Sequence, residues 1–320
     1  MSTPAIESLT ERMQTVAEEV DSIIIGKGEV VRFVLAALLA RGHVLIEDVP
    51  GVGKTTLAKA IAKVVGCSFS RIQFTPDLLP SDVTGTSIFN QKTSEFEFHA
   101  GPIFANIVLA DEINRATPKA QSALIECMEE LQITYDGVTH PMPKPFLVIA
   151  TQNNIEHGST YPLPEAQLDR FLVRISIGYP NKQDEVSVLD AQQHEHPLVK
   201  IKTIMRTDEL AALQEDINSV HLDDSLKEYI VDIVTATRNR PEVVIGASPR
   251  GSLALMRVSR ALAAVSGRDY VLPDDIKSAA VPVLTHRLVL SRSAWQSEAA
   301  QHVVRDILAA IPVPVRYSRV

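Results

Sequence analysis

Two kinds of apolar pattern share the first 180 residues of this chain. Unbroken runs at 44–46 (Val44-Leu45-Ile46), 107–110 (Ile107-Val108-Leu109-Ala110) and 146–150 read as strands buried on both faces. The alternating run 68–74 predicts a further strand, and 173–177 predicts one at a sheet edge. Between them lie stripes at spacings of three and four, which give a helix one apolar face. Ile6, Leu9, Met13, Val16 and Val20 form such a stripe after a Thr3-Pro4 start. Residues 30–39 and 57–65 continue the series, followed by Ala120, Ala123, Leu124, Cys127, Met128 and Leu131, with Lys119, Glu126 and Glu129 left to solvent. Residues 87–98 break the rule, because Ile88, Phe89, Phe96 and Phe98 are spaced as in a hairpin where a simple layout needs only a helix. Ile133-Thr134-Tyr135 before the Asp136-Gly137 turn predicts a second hairpin.

Tyr179-Pro180-Asn181 ends this pattern. From Gln183 onward only helical periods remain, separated by polar turns. Thr207 and Asp223 are placed to cap helices starting near Asp208 and Asp224, and Ser248-Pro249-Arg250 repeats the cap-then-proline signature. Leu253, Met256, Leu262 and Val265 carry on that helix, and Leu272-Pro273-Asp274 opens another. The expectation is an α/β domain over residues 1–180 and a smaller, all-helical domain over 181–320. The segment 287–320 is uninformative, with Trp295 read as a packing residue.

The chemistry collects where the unbroken runs end. After Val44-Leu45-Ile46 come Glu47-Asp48-Val49-Pro50-Gly51-Val52-Gly53-Lys54-Thr55-Thr56 and then a helical stripe. A strand, a glycine loop and a helix start aim successive backbone N–H groups at one point, where the helix dipole also favours negative charge. That makes Pro50, Gly51, Val52, Gly53, Lys54, Thr55 and Thr56 candidates for a triphosphate site, with Lys54 on the β- and γ-phosphates and the Thr55 hydroxyl on Mg²⁺. Asp48 stands where the strict pattern has its first glycine. Ile107-Val108-Leu109-Ala110 delivers Asp111-Glu112, an acid for the Mg²⁺ shell and a base for the attacking water. Thr151-Gln152-Asn153 follows the next buried run, so Asn153 is a candidate to hydrogen-bond the γ-phosphate or that water; Gln73 ends another run at the same site. Arg170 is open to two readings, a surface pair with Asp169 or a reach to a neighbour's phosphate. Arg250, in a helix's first turn, is a surface arginine or a phosphate ligand. Ile23-Ile24-Ile25-Gly26 reads equally as core packing or as part of an adenine pocket.

Composition narrows the classes further. A formal charge of −8 does not fit a surface made for non-specific duplex binding, so nucleic acid is not the default partner. Cys67 and Cys127, far apart among apolar residues, read as reduced core thiols rather than a metal or redox pair. No apolar run reaches membrane-spanning length and no signal segment opens the chain, so a soluble, cytoplasmic protein is expected.

The order and wording of these motifs resemble the MoxR family of AAA+ ATPases. The resemblance rests on residues 47–56, on Leu109-Ala110-Asp111-Glu112-Ile113-Asn114-Arg115-Ala116, on Ala150-Thr151-Gln152-Asn153, on 161–171 and on Ser248-Pro249-Arg250-Gly251, and it spans roughly residues 23–290. It implies a P-loop core with a parallel five-stranded sheet and a helical lid. Asn153 resembles sensor 1, Arg170 the arginine finger and Arg250 sensor 2, while 87–98 resembles the helix-2 insertion of this clade. It also implies ATP and Mg²⁺ as cofactors and a homo-oligomeric, usually hexameric ring. The implied role is chaperone-like remodelling or maturation of a client protein, by metal-cofactor insertion into a metalloenzyme or with a partner carrying a von Willebrand factor A domain. Two departures touch no catalytic position: Asn154 in place of a proline, and His99-Ala100 before Gly101-Pro102 where a proline is often seen. Rival readings are an ATP-gated binding module with little turnover, against which Glu112 speaks, and a DNA-acting motor, for which no basic stripe is evident.

Overall fold

A computed structural model describes residues 4–153, 160–192, 197–291 and 296–314; Asn154 and Trp295 lie outside the described residues. The chain opens with helices α1 (Pro4–Asp21) and α2 (Gly28–Leu39), then β1 (Val44–Glu47), α3 (Lys54–Val64), β2 (Phe69–Gln73) and a short α4 (Pro80–Thr84). A hairpin of β3 (Gly85–Asn90) and β4 (Glu95–Ala100) follows, then β5 (Ile107–Asp111), α5 (Pro118–Glu130) and a second hairpin of β6 (Gln132–Tyr135) and β7 (Val138–Pro141). β8 (Leu147–Gln152), α6 (Glu165–Leu168) and β9 (Val173–Ile175) complete this half.

Five strands pair in parallel in the order β2-β5-β8-β1-β9. Side-chain alternation splits the core between the two faces. Val44, Ile46, Ile107, Leu109, Leu147 and Ile149 join the larger apolar cluster with α1, α2 and α3. Leu45, Val108, Ala110, Val148 and Ala150 face the other way, onto Ala120, Leu124 and Met128 of α5. Burial on both faces is why these strands appear in the sequence as continuous apolar runs. Because β8 lies between β1 and β5, the ends of all three are neighbours, which sets the geometry of the site.

The second half contains α7 (Lys182–Gln192), α8 (Thr207–Asp216), α9 (Asp224–Arg238), β10 (Val243–Ile245), α10 (Pro249–Val265), α11 (Pro273–Leu284), β11 (Val289–Leu290) and α12 (Gln296–Ala310). It is a helical lid to which β10 and β11 add a short antiparallel ribbon. With two or three residues per strand, such a ribbon leaves no readable alternation. α10 packs on α2, α1, α9 and α11, and α11 also packs on β9. The larger apolar cluster therefore continues from the sheet's helices into Leu255, Val258, Leu262, Ile276 and Val283 without a break.

Asp223 caps α9 as expected, accepting from the Ser225 N–H at 2.9 Å. Thr207 does not cap α8. Its hydroxyl donates instead to the Gly66 carbonyl (2.7 Å), and Glu209 accepts from the Arg206 N–H (2.8 Å) in its place. Both cysteines are free thiols, and burial pushes Cys127 up to about 12. Among the described residues no helix is long and apolar enough to cross a membrane.

Candidate active site

The loop leaving the C-terminal end of β1 turns through Gly51 (φ +86) and Gly53 (φ +90), and a side chain built on either meets nothing within 4 Å. Left-handed backbone of this kind costs glycine little, and it leaves the loop's amides open on one side. Lys54 and Thr55 open α3 directly behind. The Lys54 ammonium donates to the Asp48 carbonyl at 2.8 Å. Burial pulls its pKa below the usual lysine value, while the carboxylates of Asp48, Asp111 and Glu112 pull it up.

Asp48, the departure from the strict glycine pattern, has a structural role. Its Oδ2 accepts the N–H groups of Ile177 and Gly178, each at 2.6 Å, and the Ser176 hydroxyl at 3.0 Å. A glycine here offers no acceptor, so the aspartate ties the phosphate loop to the chain leaving β9. Nothing in the local pattern of residues 47–56 pointed to that partner 128 residues away.

At the end of β5, Asp111 and Glu112 are held by a single hydroxyl. Thr151 Oγ1 donates to Asp111 Oδ1 (2.6 Å) and accepts the Glu112 N–H (2.8 Å), which fixes Glu112 at φ +56. The other Asp111 oxygen pairs with Arg71 at 2.6 Å. Glu112 Oε2 accepts from Gln73 (2.8 Å) and Arg115 (3.0 Å), so Gln73 reaches the site as its position predicted. Arg71 and Gln73 reach together because they sit two residues apart on β2, on one side of the strand. Asn153, buried at the end of β8, lies between the β1 and β5 ends, and its carbonyl accepts from the Asn114 amide at 3.2 Å. Lys54, Thr55, Asp111, Glu112 and Asn153 thus share the C-terminal edge of the sheet.

Arg170 and Arg250 do not. Arg170 lies just before β9, where that strand pairs Val173 with Val44 at the opposite, N-terminal edge. The four residues of β1, at about 3.3 Å each, separate the two edges by about 13 Å. Here a cavity of about 350 Å³ is lined by Gly42, His43, Glu129, Asp169, Arg170 and Arg250, among others. Arg170 pairs with Glu129, not with Asp169. Arg250 Nη2 lies 3.8 Å from Glu129 and Nη1 lies 3.7 Å from Asp169. Asp169 is taken chiefly by Arg287, whose Nε is 2.8 Å away and whose Nη2 donates to the Phe171 carbonyl at 2.8 Å. Burial brings Arg287 down to about 10, against the upward pull of Asp169.

Glu129 was expected to face solvent without function and instead bridges both candidate arginines; Arg287 carried no signal at all. Ile23 and Ile24 pack against the larger apolar cluster.

Comparison with known proteins agrees with this geometry. Residues 43–173 match the ATPase family associated with various cellular activities (AAA), and residues 235–307 match the AAA lid domain. Over 98% of both chains it is 51% identical to the uncharacterized protein YeaC of Bacillus subtilis. It is 46% identical to Chaperone MoxR1 of Mycobacterium tuberculosis, over 92% of this chain and 81% of that one. A crystal structure of a candidate ATPase from Cytophaga hutchinsonii superposes with a TM-score of 0.87 at 38% identity, over 97% of each chain. The glycine loop after β1, the acid pair at the end of β5, the helical lid and full-length similarity lead to one assignment: this chain belongs to the MoxR family of AAA+ ATPases.

Proposed function

We propose that this protein hydrolyses ATP at the interfaces of a homo-oligomeric ring, with the nucleotide held by one protomer and completed by arginines of the next. The observation that carries this reading is the separation of Lys54, Asp111, Glu112 and Asn153 from Arg170 and Arg250 at opposite edges of one parallel sheet. A protomer whose two halves of a site face opposite ways meets its copies head to tail, and such contacts form a ring when the rotation between copies closes. On this reading Arg250 acts across the interface like Arg170, since its partners Glu129 and Asp169 keep it at the arginine edge. A hexamer is the ring we propose.

Within a protomer, the amides of residues 50–56 and the Lys54 ammonium bind the phosphates. Glu112 orients the attacking water and takes its proton, and Asn153 hydrogen-bonds the water or the γ-phosphate. The Thr55 hydroxyl and Asp111 carboxylate are hard oxygen donors that suit Mg²⁺, which when bound neutralises charge on the phosphate oxygens. Two protein ligands fit an ion whose remaining positions go to phosphate and water; among the described residues no larger acidic cluster stands by. Asp111 must then share or give up its pairing with Arg71. Residues 1–180 act as the nucleotide-binding core and 181–320 as the lid.

The work done is chaperone-like, in a cytoplasmic setting: remodelling or maturation of a client protein, including metal-cofactor insertion, alone or with a von Willebrand factor A domain partner. Phe89 and Phe96, exposed on the β3–β4 hairpin, and Val138 on β7 are apolar side chains placed to touch it. The name of the MoxR1 relative supports this reading. Phosphate release measured alongside sedimentation tests the proposal, since turnover must rise with assembly and vanish in Glu112→Gln while ATP binding persists. Turnover by a protein that sediments as a monomer at every concentration disproves it.

A further inference from the structure

A second cavity, of about 200 Å³, lies beside the arginine edge and shares Ala40, Arg41 and Arg257 with it. Its walls are the end of α2 (Leu39, Ala40, Arg41), the turn after α8 (Ile217, Asn218) with Gln214, and one side of α10 (Arg257, Arg260). Three arginines and no acidic side chain line it. Arg41 is paired with Glu215 at the rim. Arg257 and Arg260 have no hydrogen-bond or ion-pair partner among the described residues, and Arg260 Nε is buried from solvent without an acceptor. Burial accordingly lowers the Arg260 pKa.

A guanidinium N–H withdrawn from water and left without an acceptor is costly, and in folded proteins such groups are nearly always satisfied. An acceptor-only anion supplies what this cavity lacks. Arginine's planar fork matches the spacing of two phosphate oxygens, which a carboxylate-lined or neutral cavity cannot offer. Gln214 already donates to the Leu38 carbonyl, which fixes that wall. The volume exceeds that of a few water molecules, each occupying about 30 Å³, so a polyatomic anion has room. In a chain of net charge −8, two arginines without a partner among the described residues beside a third at the rim are not explained by general surface composition.

We propose that this cavity, between α2, the 217–219 turn and α10, is a binding site for a phosphate-bearing anion, separate from the phosphate loop and held by Arg41, Arg257 and Arg260. Free inorganic anions and the phosphates of a nucleotide share the chemistry required.

The test is calorimetric titration of full-length Lys54→Ala protein, whose phosphate loop is disabled, with phosphate, pyrophosphate, ATP and adenosine in turn. The expected result is saturable binding of pyrophosphate or ATP, weakened about tenfold or more by Arg260→Met, as loss of a charge-assisted hydrogen bond implies. Arg257→Met, at an exposed position, repeats the test should Arg260→Met fold poorly. Tighter binding of pyrophosphate than of ATP marks a free anion as the source; the reverse order marks a nucleotide. Arg12→Met, a surface arginine paired with Glu209, is the control and must bind as the parent does. No saturable binding, affinity unchanged in both cavity variants, or binding of adenosine alone overturns the proposal. Each such result leaves the hydrolysis reading intact, because the readout is binding to a chain that cannot use its phosphate loop.

Discussion

The two edges of the central sheet solve opposite charge problems with different means. At the C-terminal edge two acids are held by cations and amides from nearby strands: Arg71 and Gln73 on β2, Arg115 one turn on. At the N-terminal edge three arginines, Arg170, Arg250 and Arg287, are held by two acids, Glu129 and Asp169, and the five residues come from four separate stretches of chain. The first edge is partly open, with the Asp111 and Glu112 side chains 16% and 23% exposed; the second is anchored by Arg287, only 4% exposed. The lesson is that the C-terminal edge is built from local contacts and left partly open, as the proposed exchange of a nucleotide there requires. The arginine edge is part of the tertiary core, and damage there reaches stability as well as activity.

The sharpest way to break this contrast is subunit mixing. Arg170→Ala is expected to lower turnover by about 10³ to 10⁵, the usual worth of an arginine finger, while ATP binding survives. Glu112→Gln loses turnover for a different reason, on the opposite edge. Mixed together, the two inactive variants regain phosphate release at those interfaces that join an intact acid edge to an intact arginine edge. If mixtures stay as inactive as their parts, the two edges do not complete one another.

Next in size comes Asp169→Asn, which leaves Arg287 buried without its counter-ion and should cost about 3 kcal/mol or more, read as a lower denaturation midpoint. Lys54→Ala at the other edge should leave the midpoint nearly unchanged and abolish ATP binding at the phosphate loop. An Asp169→Asn protein as stable as its parent would show that the arginine edge is as dispensable to the fold as the phosphate loop.

Acid should also find the arginine edge first. His43, which lines its cavity, is brought by burial from 6.5 to about 4, and His286, beside Arg287, is lowered by burial and by that guanidinium. Both resist protonation when folded, so the unfolded chain binds more protons as pH falls. Their contribution is whole above about pH 6.5 and declines below it; His43 alone loses about 3 kcal/mol by pH 4. His43→Gln should flatten the fall in melting temperature between pH 6.5 and 4, and an unaltered slope would remove His43 from the account.

The smallest effect is expected from Glu129→Gln. Its pairs with Arg170 and Arg250 are partly exposed, so stability should change by less than about 1 kcal/mol. Freed arginines should nevertheless lower the KM for ATP by a few fold. A raised KM would mean that Glu129 positions the arginines rather than competing for them.

How legible these regions were follows from how each is built. The strands of the sheet were visible because double burial forces unbroken apolar runs. The grouping of Lys54, Asp111 and Asn153 at one edge was legible because each stands in the segment that follows such a run, and Gln73 because it closes the alternating run of β2. Glu129 looked like a solvated position because its helix face is polar whether or not an arginine waits opposite. Arg287 follows α11 in a segment with no motif. The β10–β11 ribbon was too short to alternate.

The sequence by itself determined most of the elements and singled out the 47–56 loop with Asp111 and Glu112, since each depends on residues within one turn or one strand of its neighbours. Only the tertiary structure decided that Asp48 anchors the loop to residues 176–178, that Glu129 joins Arg170 to Arg250, and that these arginines stand at the far edge from Lys54. Those contacts join positions tens to more than a hundred residues apart. Their pairing is fixed by strand order and lid docking, which local pattern does not encode.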